Sequence, residues 1–407
     1  MLRPARLLLM VLFLISAASA RAADFTTVVG WDGQLYPSFL LSTSTIKDPP
    51  WIDNDREDIL GDRTGQLGIS IQSVNANTSV KVTITCDEIM EPSTFTGTLD
   101  EADTEYLILP KVKYKFPRLA EISQATPLSM TFKVQLGKGD ITEETATVTI
   151  RPVNDCPFLV QLAEGTQLDI SHTFAAYVNE QHPFLDKILR EALDAGIVDS
   201  FSGYQGEEAE VIRQVYALWD ALVSRDVRYS SITATAVESE TVSSQHVRLI
   251  DQSINNAQAN CVDGSVLFAS LLRKIGIDPF LVLVPGHCYV GFYIDEEHKG
   301  FMCLETTLLG SSVEKDEDYE TVEKLEEAID EDSRGDSFAT FSNAISSGSA
   351  SFEENREKFD DPKEGDYLMI DIAKARKAGI LPIAYRGNEK FKEVGPAEPS
   401  ADDTKDQ

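Results

Sequence analysis

The spacing of apolar residues along this chain of 407 residues changes near Pro157, and this change limits the folds that the chain can adopt. Before that point, short runs such as Leu67–Gln72 and Thr145–Arg151 alternate apolar with polar residues and are separated by Gly, Pro, Asn or Asp. A period of two is typical of antiparallel strands with one buried face. About seven such runs occur, which favours a sandwich of two sheets. We therefore predict an all-β sandwich domain over residues 23–157.

Beyond this point the apolar residues follow the period of an α-helix. They recur at helical spacing in Phe184–Ala195 and again in Ala209–Val223. Pro183 and Gly196 flank the first of these segments, as expected at the start and the end of a helix. Predicted strands follow these helices, so residues 158–385 are predicted to form a second domain, and the whole chain is predicted to be α+β.

Several segments near the C-terminus have a different character. Residues 314–336 are strongly acidic and Ser337–Ser351 is rich in serine, so we interpret them together as a solvated excursion, part of which forms an amphipathic helix. Tyr367–Ala378 has helical spacing again, and Gly379 is expected to end that helix. Residues 386–407 are polar and contain proline, which predicts a disordered tail.

Residues 1–22 have the three parts of a secretory signal peptide. Arg3 and Arg6 supply positive charge, Leu7–Ile15 is an unbroken apolar run, and small residues suited to cleavage follow at 18–22. The apolar run is too short to span a bilayer, which takes about 20 residues, and no later stretch approaches that length. We therefore expect an exported protein, periplasmic or secreted, without an integral membrane segment.

Acidic residues outnumber basic residues by 67 to 36, which gives a formal charge of −31 at pH 7. Nucleic acids and anionic membrane surfaces bind to basic faces of proteins. The composition therefore argues against nucleic acid as a partner, and it leaves the oligomeric state unknown.

The chain contains five cysteines, which are too few for a disulfide scaffold in a protein of this length. An odd number in an exported protein leaves at least one thiol unpaired. Cys86 and Cys156 lie in the predicted sandwich, and we predict a disulfide between them, the alternative being two separate buried thiols. Cys288 and Cys303 lie on predicted strands and are interpreted as core residues or as a cross-strand pair. No spacing is typical of zinc ligands, so neither a metal nor a cofactor is predicted.

The fifth cysteine, Cys261, is predicted to be the first residue of a helix. Asn260 is a suitable N-cap residue, and apolar residues from Phe268 to Ile275 follow at helical spacing. The unsatisfied backbone N–H groups and the dipole at a helix N-terminus stabilise a thiolate. This position is therefore typical of a nucleophile, whereas a cysteine in an apolar helix is more often a small core residue.

A histidine and a carboxylate follow Cys261 on predicted strands. Phe280–Val284 is an apolar strand, and His287 opens the next strand after a Pro-Gly turn. The strand that begins at Phe301 leads to Glu305. A thiolate that attacks a carbonyl needs an imidazole to carry the proton and a third group to orient the imidazole. The order of Cys261, His287 and Glu305 therefore predicts catalysis by a cysteine nucleophile.

This part of the chain resembles the transglutaminase-like branch of the papain-like cysteine enzymes, in particular its exported bacterial members. The resemblance covers residues 175–385 and implies a papain-like α+β domain that acts on amide bonds of a peptide or protein. A shorter stretch, Thr147–Pro157, resembles the closing strand of cadherin-like modules. The stretches that carry the main resemblance are Ser244–Leu249, Ala259–Leu272, Val282–His287 and Leu304–Thr307.

By this resemblance, Cys261 is the nucleophile and His287 is the base. The third member in the family is usually an aspartate, and the candidate in this chain is Glu305. The resemblance also implies that a side chain upstream of the cysteine stabilises the oxyanion, for which Gln245 and Gln258 are both candidates.

The length of one turn decides whether Glu305 can reach His287. If the turn is centred between Asp295 and Gly300, His287 lies opposite Leu308, and strand alternation puts Glu305 on the other face of the sheet. A bulge or an odd turn that shifts the register by one residue would bring Glu305 to the imidazole. Asp295 is the alternative candidate for the third group.

Two functions are consistent with these residues. In the first, the protein is a cysteine-dependent hydrolase or acyltransferase that forms a thioester with a peptide or protein substrate. In the second, the domain keeps the fold but serves as a non-catalytic binding or assembly module. A reactive Cys261 with Glu305 at His287 favours the enzyme, and a buried, inert Cys261 with Glu305 turned to solvent favours the module.

Overall fold

The computed structural model describes residues 24–47, 49, 56–162, 167–231, 239–311, 322–361, 364–387 and 389–393. The predicted signal peptide at 1–22 lies outside the described residues. So do residues 314–321 of the predicted acidic segment, and residues 388 and 394–407 of the predicted tail. Helices and sheets both occur along the described chain, as in an α+β protein.

In chain order, the strands are β1 (Phe25–Val29), β2 (Gln34–Leu35), β3 (Ile59–Gly61), β4 (Leu67–Gln72), β5 (Thr78–Thr85), β6 (Met90–Glu91), β7 (Ser93–Leu99), β8 (Glu105–Leu109), β9 (Lys113–Tyr114), β10 (Thr126–Leu136), β11 (Ile141–Ile150), β12 (Asp155–Gln161), β13 (Gln167–Asp169), β14 (Arg228–Tyr229), β15 (Val242–His246), β16 (Gln258–Ala259), β17 (Pro279–Val284), β18 (His287–Tyr293), β19 (Phe301–Leu304) and β20 (Leu368–Asp371).

The α-helices are α1 (Gly30–Gly33), α2 (Pro37–Ser42), α3 (Phe116–Ala120), α4 (Pro183–Asp194), α5 (Glu208–Ser224), α6 (Ile250–Asn256), α7 (Cys261–Lys274), α8 (Glu323–Ala328), α9 (Phe338–Asn355) and α10 (Ile372–Lys377). Short 3-10 helices occur at Ser171–Tyr177, Gly203–Gln205, Thr306–Leu308, Glu331–Ser333 and Arg356–Asp360. None of the helices in the described part of the chain combines the length and the apolar character needed to cross a membrane.

The chain divides into two compact units, each made of several segments. Unit 1 comprises Met1–Asn179, Thr233–Val247 and Pro362–Ala384. Unit 2 comprises Glu180–Ile232, Arg248–Asp361 and Tyr385–Gln407. The predicted domain boundary after residue 157 falls inside β12, within unit 1.

Two sheets of unit 1 enclose one apolar core. Their strand orders are β1-β4-β8-β3 and β2-β11-β10-β5-β7, and inward side chains of both sheets meet in the core. In β5, Val80, Val82 and Ile84 are buried while Lys81 is exposed, so the alternation read from the sequence is that of a half-buried strand. The strand predicted at Leu67–Gln72 is confirmed as β4.

The predicted disulfide between Cys86 and Cys156 is wrong, because both are free and buried thiols. Cys86 follows β5 and belongs to the sandwich core, where its Sγ lies 3.3 Å from Oε2 of Glu88. Cys156 lies in β12, which belongs to a different sheet, with the order β13-β12-β15. The two cysteines thus belong to the same unit but lie in different parts of it, and their sulfur atoms are not bonded.

In unit 2, β18 lies between β17 and β19, and α7 packs against β17 and β18. Both helices predicted from apolar spacing are present, as α4 and α5, within one residue of the predicted bounds. Cys288 and Cys303 are buried in this unit, and the interpretation as core residues is confirmed. They do not form a cross-strand pair, since Gly291 is the residue of β18 opposite Cys303.

The interpretation of Ser337–Ser351 as part of a solvated excursion is wrong. The segment forms most of α9, which buries Phe341 and Ile345 and packs against β19. Serine, alanine and glycine let the helix approach the strand closely. A Cβ atom at Gly348 would lie 2.8 Å from backbone atoms of Cys303 and Leu304.

The prediction of a helix at Tyr367–Ala378 is correct only for the second half of the segment. Its first part is strand β20, and the helix α10 begins at Ile372. The side chain of Asp371 accepts a hydrogen bond from the backbone N–H of Lys374 at 2.9 Å and so caps the helix at this point.

The predicted disorder of residues 386–407 is wrong for the part that the structure describes. The ring of Phe391 packs under the guanidinium of Arg225, with 4.3 Å between the ring centroid and Cζ. Arg225 also donates a hydrogen bond to the carbonyl of Lys392 at 2.6 Å, and the Nζ of Lys392 donates to the carbonyl of Asn255 at 2.7 Å. This segment is therefore held on unit 2 by the ring of Phe391 and by hydrogen bonds of its backbone and side chains.

The contact between α9 and β19 predicts an unusual effect of a glycine substitution. Gly348→Ala raises helix propensity by about 1 kcal/mol, but the added methyl group meets backbone that cannot move easily. Overpacking of this kind costs about 1–3 kcal/mol, so we expect a net loss of stability in urea denaturation. Ser347→Ala, on the exposed side of α9, is the matched control and should not destabilise the protein. A Gly348→Ala variant more stable than wild type would contradict the close packing.

Candidate active site

Cys261 is the first residue of α7, as the sequence predicts. The Oδ1 of Asn260 accepts a hydrogen bond from the backbone N–H of Asp263 at 2.8 Å, and the Asp263 carboxylate accepts one from the N–H of Asn260 at 3.0 Å. This reciprocal capping box fixes the start of the helix. The backbone N–H groups of Cys261 and Val262 have no acceptor in the described residues, so they remain available to a ligand.

The carboxylate of Asp263 is fully buried and holds α7 in place. It accepts hydrogen bonds from the backbone N–H of Arg248 at 2.7 Å and from the Arg248 guanidinium at 2.6 Å. Together with the bond from Asn260, these contacts satisfy a charge that would otherwise be costly to bury. The Asn-x-x-Asp spacing of Asn260 and Asp263 is the signal in the sequence that indicates this capping box.

The register of β18 and β19 brings Glu305 to the side of the sheet where His287 lies. Tyr293 pairs with Phe301 and Val290 with Leu304, so the connection between the strands is centred on one residue, Glu297. The sequence analysis considered a turn whose centre lies between two residues. Such a turn puts the carboxylate of Glu305 on the face of the sheet opposite His287. The observed register is shifted by one residue from that arrangement, and alternation then places Glu305 on the face of His287.

The side chains of His287 and Glu305 are in direct contact. The Nε2 of His287 lies 2.6 Å from the Oε2 of Glu305, whose residue is only 7% exposed. The other carboxylate oxygen accepts hydrogen bonds from the backbone N–H of Thr307 at 3.0 Å and from its hydroxyl at 2.6 Å. Thr307 belongs to the stretch Leu304–Thr307 that carries the resemblance, but no role is predicted for it from the sequence.

A glycine in α7 makes room for this arrangement. A Cβ atom at Gly264 would lie 2.8 Å from the Oγ1 of Thr306, so the absence of a side chain lets the segment after β19 reach the first turn of α7. On the other side, the backbone N–H of Glu305 donates to the carbonyl of Ala344 in α9 at 2.9 Å. The segment that carries the carboxylate is thus held between two helices.

The protonation of His287 is coupled to both of its neighbours. Hydrogen bonds with Cys261 first, and with Glu305 second, raise the pKa of His287 to about 10, although burial alone would lower it. Burial would raise the pKa of Glu305, but hydrogen bonds from His287 and Thr307 hold it below its ordinary value. Because Nε2 of the imidazole faces Glu305, Nδ1 is the nitrogen left to exchange a proton with Cys261.

The remaining cysteines offer no comparable nucleophile. Burial raises the pKa of the Cys86 thiol to about 11. Burial also raises the pKa of Cys156, Cys288 and Cys303. Cys261 is the one partly exposed thiol among the five.

The alternative third group, Asp295, lies elsewhere. Its carboxylate accepts hydrogen bonds from the backbone N–H groups of Lys299 at 3.0 Å and Gly300 at 2.6 Å. These bonds lower its pKa and stabilise the turn between β18 and β19. Asp295 therefore shapes the turn and has no contact with His287 among the described residues.

The two glutamines predicted near the oxyanion differ in their surroundings. Gln245 lies in β15 of unit 1, and its amide donates to the backbone carbonyl of His246 at 3.0 Å. Gln258 lies in β16 of unit 2, is exposed, and has no hydrogen-bond partner for its side chain in the described part of the chain. Among the described residues, Gln258 is the candidate that shares a unit with Cys261 and whose amide has no hydrogen-bond partner.

In the described ranges, no cluster of three or more His, Cys, Asp or Glu side chains is arranged to hold a metal ion. The chain matches no model of a known protein family, and a search of the curated proteins finds no significant match.

The raised pKa of His287 predicts a pH-dependent contribution to stability. Because the folded-state pKa lies above the ordinary value of 6.5, protonated His287 stabilises the folded protein fully below about pH 6.5, and this stabilisation is lost as the pH rises toward 10. The difference in free energy of unfolding between wild type and His287→Asn should therefore shrink between about pH 6 and pH 10 in urea denaturation.

Cys261→Ala tests the assigned cause, because it removes the hydrogen bond that contributes most to the shift. In that background, the effect of His287→Asn should change less with pH. An effect of His287→Asn that is the same at both ends of the pH range in wild type would refute the coupling.

Proposed function

We propose that this protein is an exported cysteine-dependent hydrolase with a transglutaminase-like domain, acting on amide bonds of a peptide or protein. The observation that carries the proposal is the contact of His287 with Glu305 at 2.6 Å, beside the hydrogen bond with Cys261 that contributes most to the raised pKa of His287. The order of these residues along the sequence, with a nucleophile at a helix start and a base at a strand start, supports the resemblance to transglutaminase-like enzymes. Export is supported by the signal-peptide pattern of residues 1–22.

In the proposed reaction, the Cys261 thiolate attacks the carbonyl carbon of the amide. A thioester forms and the C–N bond breaks, while protonated His287 gives its proton to the leaving amine. A water molecule then attacks the thioester, His287 takes one of its protons, and the free acid and the Cys261 thiolate are released. Glu305 keeps the imidazole oriented and compensates its positive charge throughout.

The oxyanion of each tetrahedral intermediate would be held by the start of α7. The N–H groups at the first turn are the donors that this position supplies, and the helix dipole favours negative charge there. Gln258, the candidate in the same unit, would add a side-chain donor, and Gln245 is bonded to the backbone of its neighbour instead. Removal of one such donor typically lowers kcat by about 10²–10³.

Hydrolysis is favoured over transfer to an amine. In an aqueous compartment, water outcompetes dilute amines for the thioester unless the cleft excludes it. Cys261 itself is partly exposed, which agrees with access of water to the sulfur.

Alkylation of the five thiols tests the nucleophile directly. In folded protein below pH 7, iodoacetamide should label Cys261 and spare the four buried cysteines, which serve as internal controls in peptide mass spectrometry. His287→Ala should slow the labelling, because the imidazolium that favours the thiolate is lost. A Cys261 that remains inert until the protein unfolds would reject the enzyme and favour a binding or assembly module.

Turnover of a library of quenched fluorescent peptides tests the reaction itself. Cys261→Ala should abolish cleavage, and His287→Ala should lower kcat by about 10²–10⁴. Gln258→Ala should lower kcat without changing alkylation of Cys261, whereas Gln245→Ala should leave both unchanged. Cleavage that persists in Cys261→Ala would show that another group carries the reaction.

A further inference from the structure

The carboxylate of Glu305 is shared between His287 and one other side chain. Oε2 lies 2.6 Å from the imidazole, and the hydroxyl of Thr307 donates to Oε1 at 2.6 Å. The backbone N–H of Thr307 donates to the same oxygen at 3.0 Å. Both donors of Thr307 thus hold the oxygen that does not contact His287, and by fixing Oε1 they set the direction in which Oε2 points.

A glutamate needs such an anchor because of its length. Three torsions separate its carboxylate from the backbone, and the last of them is broad and weakly restricted. The backbone of Glu305 is held by Ala344 of α9, but this bond does not restrict the side-chain torsions. Within the described ranges, the side chains that contact the carboxylate and can restrict these torsions are His287 and the hydroxyl of Thr307.

The neighbouring threonine has a different role. Thr306 is buried, its Oγ1 lies 3.4 Å from the hydroxyl of Ser265, and it packs where Gly264 leaves room. Thr307 is only partly buried, so a change in its side chain is easier to tolerate than a change at Thr306. Thr306 thus packs on α7, whereas Thr307 contacts the carboxylate of Glu305.

We propose that Thr307 is a positioning residue, whose hydroxyl holds the carboxylate of Glu305 in the orientation that keeps His287 aimed at Cys261. This inference rests on the proposed function, since it names a further residue of the same site. Thr307 does not touch the substrate; it acts through Glu305. A hydrogen bond from a hydroxyl to an ionised carboxylate is among the stronger ones, and its loss corresponds to about a ten- to hundredfold effect.

Thr307→Val removes the hydroxyl and keeps the shape of the side chain, and Thr307→Ser keeps the hydroxyl. In Thr307→Val, we expect the NMR titration midpoint of the His287 imidazole to fall and peptide turnover to slow by about ten- to hundredfold through kcat rather than KM. Thr307→Ser should restore most of both properties. A Thr307→Val variant with the titration and turnover of wild type overturns the proposal, as does a Thr307→Ser variant as impaired as Thr307→Val.

A double-mutant cycle with Glu305→Ala, which removes both carboxylate oxygens, shows whether Thr307 acts through the carboxylate. In that background, Thr307→Val should cause no further change in the titration of His287, and a further change of the same size would overturn the proposal. The titration also separates this inference from the proposed function. If Thr307→Val shifts the titration but wild type cleaves no peptide, the orientation of His287 by Thr307 stands and the hydrolase function fails.

Discussion

The contact between His287 and Glu305 depends on the register of two strands, and that register depends on one turn. Because side chains alternate with a period of two, a shift of a single residue between β18 and β19 moves the carboxylate to the other face of the sheet. The turn is centred on Glu297, and the carboxylate of Asp295 stabilises it through backbone N–H groups. A residue outside the site therefore contributes to its geometry.

Two glycines allow helices to approach the segment that carries this carboxylate. Gly264 lets Thr306 reach the first turn of α7, and Gly348 lets α9 contact the backbone of β19. The resulting contacts hold Glu305 from both sides, with its backbone N–H bonded to Ala344. In such close packing, an added methyl group costs more than the gain in helix propensity.

The electrostatic arrangement follows from this geometry. A buried carboxylate would be protonated more easily than one in water, but hydrogen bonds from His287 and Thr307 favour its charged form and lower the pKa of Glu305. The charged carboxylate in turn contributes, after Cys261, to the raised pKa of His287. At the start of α7, the ion pair between the buried Asp263 and the partly buried Arg248 fixes the helix end from which Cys261 projects.

The local elements of the site could be predicted from the amino-acid sequence: the strands with alternating burial, the helix that starts at Cys261, and the strand that starts at His287. They follow from apolar periodicity and from capping, which act between residues close in the chain. The helical packing of the Ser-rich segment, the ordered contacts of Phe391 and the unpaired state of Cys86 depend instead on residues distant in sequence. The partner of His287 was decided by the three-dimensional arrangement alone. A difference of one residue in the length of the turn moves Glu305 to the other face of the sheet. The apolar pattern of the strands does not determine the exact number of residues in the polar turn between them.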